Sequence, residues 1–109
     1  MKFPELGFYT LPGHTRTPRD MFEELRDAEA LGMGSAWISE RFDVKEVGAL
    51  AGAASAMTKE IFIGAGATNL PTRHPVVTAG MASTLHRLSL SLLVYPTAVA
   101  WMASHCVPI

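Results

Sequence analysis

The spacing of apolar positions changes along the chain and divides it into alternating elements. Leu6 to Leu11, in LGFYTL, reads as a first strand, ended by Pro12 and Gly13. Phe22, Leu25, Ala28 and Leu31 then recur at helical spacing, with Glu23, Glu24, Arg26 and Asp27 between them. Thr17 suits the N-cap of that helix, Pro18 its first position and Asp20 its first turn, and Gly32 supplies the stop. Ser35 to Ser39 reads as a second short strand, followed by Glu40, Arg41 and Phe42. Asp43 with Glu46 forms an acidic variant of the capping box. Val47, Leu50, Ala51, Ala54 and Met57 continue as one helical face, and their Ala and Gly neighbours let that helix lie close to a sheet.

The third strand, Ile61 to Ala67, opens on three apolar residues without alternation, the pattern of a strand covered on both faces. Gly64 and Gly66 thin it where something approaches the backbone closely. A third helix runs from about Pro75 to Leu88, with Val76, Val77, Ala79, Ala82 and Leu85 as inward positions. The order β-α-β-α-β-α with short connections predicts parallel strands joined by right-handed crossovers. A barrel and an open doubly wound sheet both begin this way. No G-x-G-x-x-G follows the first strand, which disfavours a dinucleotide-binding open sheet.

The 109 residues carry a formal net charge of −1, which gives no argument for nucleic-acid binding. The single cysteine, Cys106, excludes an intramolecular disulfide and suggests a reducing compartment. No apolar run near the start has signal-peptide length, so the expected location is cytoplasmic. Hydrophobic residues make up 49% of the chain, and every Asp, Glu, Lys and Arg lies at or before Arg87.

Parallel strands would bring their carboxyl ends to one rim, where α/β proteins carry their sites. The first contributes Tyr9, Thr10 and His14, the second Ser39, Glu40 and Arg41, the third Thr68, Asn69, Arg73 and His74. Glu40 and Arg41 can form a salt bridge; alternatively Glu40 exchanges a proton beside a bound redox ring, with Arg41 holding its charge state. His14 is either an exposed loop residue or a base, and His74 can cap the third helix. Arg73 either closes a salt bridge between loops or binds a substrate anion. Thr68 and Asn69 follow the glycine-lined strand and are the contacts best placed for a ligand. No metal-ligand set, nucleophile elbow or P-loop has recognisable spacing.

GFYTLPG near the start, AWISERF after the first helix, and GAGATNLPTRHPVVTAG leading into TLHRLS resemble the luciferase-like superfamily, in particular its coenzyme F420-dependent oxidoreductases. The resemblance spans residues 3 to 89. It implies three βα units of a (β/α)8 barrel, with a deazaflavin ring, or FMN in other relatives, at the carboxyl rim. It further implies a non-prolyl cis peptide at Gly66–Ala67 behind the ring, with Gly66, Ala67, Thr68 and Asn69 as cofactor contacts. Glu40 would be the catalytic acid, and His14, Arg41 and Arg73 contacts to substrate or anion. Relatives place a histidine after that acid; here Arg41 stands there. The chemistry implied is hydride transfer to or from a small organic substrate, or oxygenation with flavin, in proteins that form homo-oligomers when full length.

Residues 90–109 fall outside the family pattern and form an apolar tail. Three readings compete: a frameshifted or prematurely ended gene, a membrane segment interrupted at Pro96, and a tail that covers the open sheet edge. Because a (β/α)8 barrel takes about 250 residues, three units alone should bind deazaflavin weakly or not at all, and should aggregate. The expectation is thus a truncated, inactive oxidoreductase piece, set against a small non-catalytic protein with a membrane-associated tail.

Overall fold

Strand β1 (Phe3–Thr10) pairs in parallel with β2 (Met33–Ser39), which pairs in parallel with β3 (Phe62–Ala67). Helix α1 (Asp20–Leu31) joins the first pair and α2 (Val47–Met57) the second; a 3-10 turn (Leu70–Thr72) leads from β3 into α3 (Pro75–Leu88). The computed structural model describes residues 2–41, 43–68 and 70–88. The expected tail over 90–109 lies outside them. None of the described helices is long and apolar enough to cross a membrane.

The helices bury one face of the sheet. Met21, Leu25 and Ala28 of α1, Val47, Leu50, Ala51 and Ala54 of α2, and Leu85 of α3 pack with Ala36, Ile38, Ile61 and Ile63. Successive strand residues point to opposite faces. Tyr9 and Trp37 therefore stand on the side away from the helices, and Phe62 with them, its ring centroid 5.7 Å from that of Trp37.

Two helix faces are rotated from the expected ones. In α1 the buried stripe is Met21, Leu25 and Ala28, while Leu31 is exposed and Phe22 half-buried. Helix α3 buries Thr78 and Leu85, leaving Val76 and Val77 exposed. Each helix carried two adjacent stripes that periodicity alone could not rank. The start of α1 also shifts: Thr17 Oγ1 accepts from Arg19 N–H at 3.2 Å in a turn that precedes the helix. Gly32 ends α1 in the left-handed conformation (φ 74°), as expected. At α2 the cap is Glu46, accepting from Ala49 N–H at 2.7 Å, and not Asp43.

The amino end of the sheet is held by one carboxylate. Glu29 Oε1 accepts from three successive amides, Lys59 (2.6 Å), Glu60 (2.9 Å) and Ile61 (3.3 Å). Burial alone would raise its pKa, but the three amides and the charge of Lys59 bring it below its ordinary value of 4.5. A depressed carboxylate pKa stabilises the fold above the unfolded value, and that contribution is lost as pH falls through the folded one. Glu29→Gln should cost roughly 1 kcal/mol at neutral pH, water screening limiting the effect. In urea titrations the gap between the variants should close as pH drops below 4.5. A gap independent of pH would sink this reading.

Candidate functional site

At the carboxyl end of the sheet a single carboxylate ties three segments together. Glu40 Oε2 accepts from Val47 N–H at the start of α2 (2.9 Å) and from Arg73 Nη2 (2.7 Å). Glu40 Oε1 accepts from the Thr68 hydroxyl at 3.0 Å. The Glu40 side chain is 2% exposed and that of Arg73 12%. Arg73 Nη2 also bonds Glu46 Oε1, and Nη1 approaches Met81 Sδ at 3.3 Å. One guanidinium is thus shared by two carboxylates at the amino end of α2, where the helix dipole favours negative charge. Arg73 Nε is buried with no partner among the described residues.

The opposing side of the rim is built from the β1–α1 loop. Glu24 Oε2 accepts from Thr10 Oγ1 at 2.5 Å and from Leu11 N–H at 2.8 Å. Leu11 is buried yet left-handed, with φ 53°. Lys45 is fully enclosed, its Nζ donating to Leu11 O (3.1 Å), Gly13 O (3.3 Å) and Ser39 Oγ (3.3 Å). On the exposed surface above, Arg41 Nη1 lies 3.4 Å from His14 Nε2.

The luciferase-like monooxygenase family model matches residues 5–90. The chain belongs to this family. Among solved structures it is similar to the coenzyme F420 dependent tetrahydromethanopterin reductase from Methanopyrus kandleri, with 26% identity and a TM-score of 0.70. That match covers 90% of this chain and 29% of the reductase, so the chain spans less than a third of the protein it resembles. No curated protein sequence matches. Its three parallel βα units form a partial TIM-barrel-like unit.

Every residue of the rim network falls within the luciferase-like match. The expected site residues divide into two groups. Glu40, Thr68 and Arg73 converge, and His14 and Arg41 form a separate exposed pair. Arg41 is not the ion-pair partner of Glu40; that place belongs to Arg73, as the loop-closing reading had it. His74 takes its capping role, with Nδ1 accepting from Val76 N–H at 3.2 Å. Asn69 lies outside the described residues. No cis peptide occurs among the described residues, so nothing there carries the bond expected at Gly66–Ala67. The local irregularity is a slip of register, with Ile38 opposite Ala65 but Ser39 opposite Ala67.

The strand glycines also have a different neighbour from the expected cofactor. A Cβ on Gly64 would stand 2.6 Å from Trp37 ring carbons, and one on Gly66 2.5 Å from Tyr9 Cε1. What approaches the backbone is a row of aromatic side chains from β2 and β1. Sequence reasoning missed Lys45 and Glu24. A lysine or glutamate in a charged loop or helix defaults to solvent, and neither carries a spacing signal that would show its buried partners.

Proposed function

We propose that these three units form the wall behind the deazaflavin ring of an F420-dependent oxidoreductase. The enzyme would transfer hydride between an organic substrate and the coenzyme. The observation that carries this is the Glu40–Thr68–Arg73 network, at the carboxyl end of a sheet that resembles an F420-dependent reductase. The donor set suits such a ligand. The Thr68 hydroxyl donates to Glu40, which leaves its lone pairs to accept an N–H or O–H, and the buried Arg73 Nε–H is a spare donor beside it.

F420 supplies a ring carbon that accepts or gives up hydride. This chain's residues bind and orient. Glu40 fixes Thr68 and Arg73; its exchanging a proton with the ligand would require release from the bonds that enclose it. Val47 N–H at the start of α2 donates to the carboxylate and fixes its place at the rim. With under a third of the reductase represented, the 109-residue chain alone is expected to bind F420 weakly and to turn nothing over.

A chimera tests the assignment. Residues 3–88 would replace the matching segment of the Methanopyrus reductase, and F420 and FMN would be titrated by absorbance. F420 should bind, and Thr68→Val in the chimera should weaken it by about tenfold. A folded chimera that binds neither cofactor, or only FMN, would overturn the F420 reading.

A further inference from the structure

One buried cationic side chain takes no part in the Glu40 network. Lys45 is 2% exposed, and no carboxylate lies within ion-pair distance of it among the described residues. An ammonium has three donors, and here they meet three neutral acceptors. Two of these are the carbonyls of Leu11 and Gly13, both left-handed with φ 53° and 66°. The left-handed turn that leads into His14 is therefore pinned by the Lys45 side chain.

The Lys45 backbone holds the other partner. Arg41 N–H donates to Lys45 O at 2.9 Å, and Lys45 N–H donates to Arg41 O at 2.6 Å. One residue thus fastens both halves of the His14–Arg41 pair, whose nitrogens lie 3.4 Å apart on the exposed rim. No carboxylate, Asp43 of the same turn included, makes an ion pair with either among the described residues. A forked guanidinium and an imidazole, with the Lys45 ammonium packed beneath their loops, make a donor-rich corner, and the carboxylate bonded to the same loop, Glu24, is engaged by Leu11 N–H and Thr10 Oγ1.

We propose that His14 and Arg41 form a binding site for an oxyanion, a phosphate or carboxylate group of the bound ligand, and that Lys45 is the positioning residue that assembles it. Arg41 offers the fork and His14 a second N–H. The Lys45 side chain holds the Leu11 and Gly13 carbonyls, which sets where the His14 loop stands against Arg41. The inference rests on the carboxyl rim being the ligand-bearing face, but its test needs no coenzyme.

On the 109-residue chain, carbethoxylation of each histidine would be followed by mass spectrometry against rising inorganic phosphate, and separately against succinate. Phosphate, succinate or both should slow His14 saturably, while exposed His74 and His86 react unchanged. The responding arm identifies the oxyanion. Arg41→Gln, an exposed change that leaves the fold intact, should raise the half-protecting concentration by about tenfold. Lys45→Met should abolish protection with the far-ultraviolet dichroism retained. Lys45→Cys in a Cys106→Ser background, aminoethylated in denaturant and refolded, should restore it by rebuilding the ammonium.

Protection absent in both arms, or equal at His14, His74 and His86, overturns the site. Protection that survives in Lys45→Met overturns the role of Lys45. Should Lys45→Met fail to fold, undiminished protection in Arg41→Gln still overturns the proposal. Failure of the F420 chimera with His14 protection intact would remove the cofactor assignment and leave the anion site standing.

Discussion

Arg73→Met is expected to remove about 3–5 kcal/mol of stability, because it leaves the enclosed carboxylate of Glu40 without its cation. The side chains are similar in length, so the loss is one of charge and hydrogen bonding rather than of volume. Glu46 would lose the same partner but is half in water, and it adds little. Against the roughly 5–15 kcal/mol that a domain has in total, this is about a fifth or more. Urea denaturation should show a midpoint shift at constant slope. The double variant Arg73→Met/Glu40→Gln should recover much of the loss, since the neutral amide no longer needs a counter-ion and still offers an acceptor to Val47 N–H. A single variant within 1 kcal/mol of wild type would show that the network is peripheral to stability.

Gly64→Ala should cost about 1–3 kcal/mol through overpacking. The added methyl meets Trp37 ring carbons at 2.6 Å and Phe62 Cε1 at 3.1 Å. Trp37 cannot readily retreat, because its Nε1–H is bonded to Ser35 Oγ at 3.0 Å and its ring lies against Phe62. Gly66→Ala meets a ring just as closely, at 2.5 Å, but Tyr9 is 55% exposed and can swing outward. The prediction is therefore an order as well as a size: Gly64→Ala is the more damaging, read by thermal unfolding with near-ultraviolet dichroism reporting the aromatic row. The reverse order would mean that the row is not packed as described.

The element order could be read from the sequence because period, Gly and Pro all spoke for it. Gly32 closes α1, and α3 runs from Pro75 to Leu88 as its spacing and proline indicated. Less could be read of the rim. Glu40 and Arg41 looked like partners because they are adjacent, yet neighbouring residues of an extended chain point in opposite directions. Glu40 turns inward to Arg73, thirty-three residues away, and Arg41 outward to His14, twenty-seven residues away. Lys45 was invisible for a related reason. Its acceptors are mostly backbone carbonyls, which have no residue identity to recognise.

The Glu40 carboxylate also bears on the order in which the chain assembles. Its contacts with Thr68 and Arg73 close loops of 28 and 33 residues, whereas its bond to Val47 spans only 7. Long loops close at an entropic cost that must be met before their contacts contribute. Helix α2 and its cap can form first, and the ion pair can complete only after β3 has docked and the loop behind it has folded over. In stopped-flow experiments Arg73→Met should accordingly leave the folding rate nearly unchanged and speed unfolding, a φ-value near zero. The rim would then act as a latch on the finished sheet, setting how long the fold persists rather than how quickly it forms.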